Sequence, residues 1–132
     1  MMNLVKKFNT FGDNRGKLIV CEENIDIPFS IQRIFYLFGM KEKTSRGNHA
    51  HYKTEQFLVA IAGNCKVTLN DGVHEKTYDL NEPNIGLLQK SMVWGTMHDF
   101  SENCILLVFA SELYDENDYI NNYNQFMEEV TT

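Results

Sequence analysis

"RGNHAHYKTEQFLVAIAG", residues 46–63, decides how this chain is read. Its second half, "EQFLVAIAG" (55–63), is a short apolar run closed by a glycine, the mark of a buried strand. Its first half carries His49 and His51, two residues apart, just after Arg46. Side chains alternate along a strand, so residues i and i+2 face the same way. If the strand extends through "HAH", both imidazoles enter one pocket. That arrangement suits a metal site, an acid–base pair, or two surface histidines.

The same texture extends outward. "CKVTLN" (65–70) alternates, with Val67 and Leu69 on one face and Lys66 and Thr68 on the other. Asp71-Gly72 then predicts a hairpin turn, because glycine accepts positive φ cheaply. "HEKTYDL" (74–80) would return antiparallel. "GKLIVCEE" (16–23), "SIQRIFYLF" (30–38), "IGLLQ" (85–89), "MVWGTMHDF" (92–100) and "CILLVFAS" (104–111) read as further strands. The tail "YDENDYINNYNQFMEEV" (114–130) has apolar residues at 119, 120, 123, 126, 127 and 130, which is helical spacing. Asp115 is the expected N-cap, and the helix is expected to close one end of the fold. About nine strands followed by one helix predict an all-β sandwich or jelly roll.

The bulk numbers fit one domain over residues 1–132, 43% of them apolar, enough for a core. A net charge of −6 argues against a nucleic-acid footprint. No apolar run approaches the ~18 residues of a membrane span, so no membrane partner is expected. The N-terminus lacks the apolar core of a signal peptide. Cys21, Cys65 and Cys104 lie far apart in apolar contexts and read as reduced thiols of a cytoplasmic protein.

Metal-binding cupins, which are small jelly rolls, resemble the histidine stretch. The register that matches Gly63, however, puts Gln56 where those proteins carry a glutamate ligand. The later region "GLLQKSMVWGTMHDF" (86–100) lacks the turn that carries their last histidine, and His98 comes late. An amide is a poor substitute for a carboxylate, and zinc or iron needs three or four well-placed ligands. No metal is therefore expected. Acid–base chemistry fits better: imidazole titrates near neutrality, and an arginine beside it can hold a phosphate or an enolate-like oxygen. The combination suits proton abstraction next to a carbonyl, although two structural or surface histidines remain open on spacing alone.

Over nearly its whole length the sequence resembles the sugar nucleotide 3,4-ketoisomerases of the cupin superfamily, which act on dTDP-4-keto-6-deoxyglucose. The landmarks are "IPFSIQRIFYLF", "RGNHAH", "EQFLVAIAGNCKVTLNDG", "DFSENCILLVFAS" and "YDENDYINNYNQF". The resemblance implies a cupin-type β jelly roll that pairs as a homodimer, with no redox cofactor and no metal. The substrate would be a dTDP-linked 4-keto-6-deoxy sugar. A base takes the proton from C3, an enediol forms, and C4 is reprotonated so that the ketone ends at C3. His49 is the expected C3 base and His51 the proton relay. Tyr36 is matched to a tyrosine that bonds a sugar hydroxyl, and Arg46 to an arginine that steadies the oxyanion or a phosphate oxygen. Arg33 is assigned to the diphosphate and Gln56 to a hydrogen bond inside the pocket; Arg15 reads as pocket lining or a turn residue, Trp94 as a pocket wall or a core side chain, and His98 as a third pocket group or a satisfied strand histidine. His74 is expected to be solvated.

The sequence also departs from the resemblance. Many relatives have "GLYIPP" where this chain has "GLLQKS", and a histidine or arginine where it has Gly95. Either 3-keto product, gluco or galacto, remains open. Such sugars are usually aminated next and enter a surface polysaccharide such as an O-antigen, a glycan or an antibiotic. The competing readings are a related cupin epimerase, a non-catalytic nucleotide-sugar-binding cupin, and a metal-dependent cupin oxygenase.

Overall fold

Two five-stranded antiparallel sheets face each other in the computed structural model, which describes residues 3–41 and 43–131. The strands are β1 (Val5–Lys7), β2 (Phe11–Asp13), β3 (Gly16–Leu18), β4 (Arg33–Leu37), β5 (Arg46–His51) and β6 (Gln56–Ala62). They continue with β7 (Cys65–Asn70), β8 (Glu75–Leu80), β9 (Ile85–Gln89), β10 (Trp94–His98), β11 (Ile105–Ala110) and β12 (Tyr119–Ile120). One helix, α1 (Tyr123–Thr131), follows. The first sheet runs β1-β9-β6-β11-β4 and the second β12-β5-β10-β7-β8, while β2 and β3 form a separate hairpin. The all-β reading with one C-terminal helix holds.

Alternation explains what each face buries. Leu58, Ala60, Leu106 and Val108 from the first sheet meet Val67, Leu69, Leu80 and Met97 from the second, forming the inter-sheet core. Each large side chain buried there contributes about 2 kcal/mol relative to exposure. Phe57, Val59 and Phe109 face the other way and are covered by Phe8, Ile27 and Phe29 from the N-terminal segment. That cover is partial: Ile34 and Tyr36 on β4, the edge of the sheet, and Phe38 just past its end remain 56%, 62% and 69% exposed. The Asp71-Gly72 turn forms as expected, with the Asp71 carboxylate accepting from the Val73 and His74 amides. Cys65 and Cys104 are buried free thiols and Cys21 is half-buried.

The tail departs from the periodic reading. Asp115 caps only a 3₁₀ turn, Glu116–Asp118. Tyr119 and Ile120 then pair as a strand with His51 and Ala50. The α-helix begins at Tyr123, with the Asn122 side chain accepting from the Gln125 amide at 2.9 Å. Adjacent apolar residues at 119 and 120 fit either structure, and long-range pairing with β5 buries Ile120 completely. The helix lies on the outer face of the second sheet, where Phe126 packs with Ala50 and Ile120, instead of closing an end.

Candidate active site

The site is built around β5. Gly47 and Asn48 take positive φ, 84° and 59°, and the pairing with β10 shifts register there. A side chain at Gly47 would stand 3.0 Å from the Gly95 carbonyl, so the bulge needs glycine. Beyond the bulge the strand is regular. Ala50 turns outward to the helix, and His49 and His51 turn inward with ring centroids 4.8 Å apart.

The two imidazoles differ. His49 Nδ1 lies 3.1 Å from the Gly47 carbonyl. A carbonyl only accepts, so Nδ1 carries the proton and Nε2 keeps its lone pair. Burial lowers the His49 pKa, the Gly47 hydrogen bond partly opposes this, and Arg33 lowers it further. His51 is 1% exposed, and its Nε2 is buried with no partner. Burial first, then His49 and Arg33, bring its pKa down to about 4 against an opposing pull from Asp118. Both rings are thus neutral at pH 7, the form that accepts a proton.

A third ring completes the cluster. Tyr119, set opposite His51 by β12, lies 5.0 Å from His49 and 4.5 Å from His51 between centroids. Its hydroxyl accepts from Arg33 Nη2 at 3.2 Å. Arg33 shares the inward parity of Phe35 and Leu37 on β4, and its Nη1 is buried without a partner. Buried polar groups are normally paired, so two orphans on side chains that both meet Tyr119 mark where a polar ligand belongs. Asp118 holds this wall in place, accepting from the Lys53 amide at 2.8 Å, the Thr54 amide at 3.1 Å and the Thr54 hydroxyl. Burial pushes its carboxyl up, but these hydrogen bonds outweigh burial and hold it below the ordinary value.

The first sheet supplies the facing wall. Gln56 on β6 and Gln89 on β9 are cross-strand partners, both buried, on the inward face with Leu58 and Leu87. A groove of about 790 Å³ opens beside the cluster, lined by Gln32, Tyr52, Tyr114 and Asp118 among others. Arg33 stands 5.6 Å over the ring of Tyr114, which lines the groove, while neither histidine does.

Of the residues singled out from sequence, the structure brings together His49, His51, Arg33 and Gln56. The others lie elsewhere. Tyr36 is on the outer face of β4, stacked on Phe38 at 6.0 Å, and the inward position beside it is Phe35, which has no hydroxyl. Arg46, at the start of β5, is exposed and has no ion pair among the described residues. Arg15 is paired to Asp13 at 2.7 Å in the β2–β3 turn. Trp94 and His98 have the parity opposite to Gly95 and face outward. Trp94 packs on Tyr123 and Phe126 of the helix, and His98 Nε2 bonds Thr68 at 2.8 Å. His74 is exposed beside Asp71. Sequence reasoning missed Tyr119, which a helical reading of the tail hid, and Gln89. Among the described residues, no three His, Cys, Asp or Glu side chains converge as a metal-binding group.

Residues 1–131 match the family model described as FdtA: WxcM-like, C-terminal. The chain belongs to the FdtA family. A TDP-4-oxo-6-deoxy-alpha-D-glucose-3,4-oxoisomerase from Aneurinibacillus thermoaerophilus is 47% identical to this FdtA-family chain, over 96% of it and 91% of the relative. A 3,4-ketoisomerase from Helicobacter canadensis superposes with a TM-score of 0.96 at 42% identity, covering 100% of both chains. A mutant of the 3,4-ketoisomerase QdtA from Thermoanaerobacterium thermosaccharolyticum was solved in complex with TDP-4-keto-6-deoxyglucose. It superposes with a TM-score of 0.94 at 41% identity, over 99% of this chain and 96% of that one.

Proposed function

We propose that this FdtA-family chain is a 3,4-ketoisomerase that converts TDP-4-keto-6-deoxyglucose to a TDP-3-keto-6-deoxyhexose. The observation that carries the reading is the pair of neutral, inward-facing imidazoles at 4.8 Å, flanked by the orphaned His51 Nε2 and Arg33 Nη1. His49 Nε2, freed by the Gly47 carbonyl, takes the C3 proton. The C3–H electrons form the C3=C4 bond of an enediol, and the C4 oxygen takes a proton. Reprotonation at C4 and loss of the proton on the C3 oxygen leave the ketone at C3. His51 relays these protons. Electrons only move within the sugar, so the step balances without an external oxidant or reductant. Arg33 meets the diphosphate, and the groove past Tyr114 takes the nucleoside.

The enzyme works as a homodimer. The support is the open apolar patch of Ile34, Tyr36 and Phe38 at an edge strand, and the free β2–β3 hairpin with Phe11 and Leu18 exposed. This assigns Tyr36 to the subunit interface. The product feeds deoxysugar synthesis in the cytoplasm, where a 3-keto group invites amination.

Proton NMR of TDP-4-keto-6-deoxyglucose with the protein in D₂O tests the proposal. Loss of the C3 proton signal with growth of a 3-keto product is the expected result, and coupling constants at C4 assign gluco or galacto. Exchange at C3 or C5 with the ketone still at C4 would mean an epimerase. Nucleotide binding without exchange would mean a binding module.

A further inference from the structure

We propose that Gln89 is a substrate-binding residue of this site, holding a hydroxyl of the keto sugar beside His49, and that Gly95 is the seat that lets it do so. Gly95 and His49 are directly paired on β10 and β5, so a side chain at 95 would share the inward face with the imidazole. Its Cβ would lie 2.5 Å from Gln89 Nε2 and 2.7 Å from both Cδ and Oε1. The Gln89 carboxamide therefore crosses from the opposite sheet and occupies the space that glycine leaves open, next to the base.

The chemistry of that carboxamide points to a ligand. It is 5% exposed, yet its one hydrogen bond among the described residues runs from Nε2 to the Val93 carbonyl at 3.0 Å. This fixes the amide orientation and leaves Oε1 and the second N–H free. Oε1 is not among the buried orphans of the site, which are Arg33 Nη1 and His51 Nε2, so the unused amide positions are open to an incoming partner. Gln56 is its cross-strand partner, likewise buried, with no side-chain hydrogen bond among the described residues. The pair gives the first-sheet wall a neutral set of donors and acceptors. That suits sugar hydroxyls, while the charged Arg33 stands two strands away across β11. The glutamine and the glycine act together: the carboxamide lies at Gly95 only because no Cβ is there.

The inference rests on the ketoisomerase reading for the identity of the sugar, so its test is a binding measurement that does not depend on turnover. In a His49→Asn background, calorimetry would measure TDP and TDP-4-keto-6-deoxyglucose separately, with and without Gln89→Leu. Leucine keeps the apolar volume and removes the hydrogen bonds. The expected result is unchanged affinity for TDP and about tenfold weaker binding of the nucleotide sugar. Gly95→Ala is a second variant that leaves Gln89 in place but displaces its carboxamide. Glycine 95 has ordinary φ and the displaced group is a flexible side-chain end, so the fold survives and the same selective loss is expected. Equal affinity changes for both ligands, or none in either folded variant, would overturn the role of Gln89. The D₂O experiment on the unmodified enzyme separately decides the reaction.

Discussion

The depressed pKa of His51 makes the protein acid-sensitive by a calculable amount. The imidazole titrates near 6.5 in the unfolded chain and at about 4 in the folded one. Between those values the unfolded chain binds more protons, so stability is full above pH ~6.5 and is lost as pH falls toward 4. At pH 5 the loss from this one group is about 2 kcal/mol, a sizeable share of the roughly 5–15 kcal/mol of a typical domain. Replacing His51 with Gln removes the titration while keeping a polar side chain. Urea unfolding of both proteins at pH 8 and pH 5 gives the difference directly, and titrations common to both, including most of that of His49, cancel. Wild type is expected to lose about 2 kcal/mol more than the variant on going from pH 8 to 5. A wild-type-to-variant gap that stays constant across that range would refute the burial argument for a neutral His51.

The same reasoning makes further results checkable. His49→Asn should lower turnover by about 10²–10⁴-fold and abolish C3 exchange in D₂O, while TDP binding measured by calorimetry persists. Asp118→Ala should destabilise by about 1–3 kcal/mol, because the Lys53 and Thr54 amides lose their acceptor, and amide hydrogen exchange at those residues should accelerate. On the proposed homodimer, Phe38→Asp is expected to shift the protein toward monomer in sedimentation velocity, because it places a charge in the exposed apolar patch formed with Ile34 and Tyr36, one residue past the end of β4.

What the sequence disclosed follows from local rules, and what it hid follows from pairing. The "HAH" spacing announced two imidazoles on one face because strand parity is local, and Asp71-Gly72 announced its turn for the same reason. Parity also says that Trp94 and His98 share a face and Gly95 and Met97 the other. It does not say which pair looks inward, because both sides of β10 carry apolar residues. Tyr36 was lost in the same way: Arg33, Phe35 and Leu37 alternate with Ile34, Tyr36 and Phe38, and each set is apolar enough for a core. Tyr119 reaches the site through a two-residue strand whose partner is 68 positions earlier, and no periodicity encodes such a partnership. The helix start at Tyr123 was more accessible, since Asn122 is a favourable cap, but the acidic run at Asp115 offered an equally good one.

The pairing of Tyr119 with His51 has a consequence for how the protein is made. Within the second sheet, β5 has β10 on one side and only β12 on the other. While the chain is still being synthesised, the histidine strand therefore emerges early and waits with a bare edge until residues 119–120 arrive. Unpaired edges recruit other chains, so this interval is when an unfinished molecule is most prone to stick to its neighbours. The segment that ends the interval is also the one that brings Tyr119 to the histidines. Protection of the edge and assembly of the proposed catalytic pocket are then one late event, and on that proposal a chain halted before it would be both inactive and adhesive.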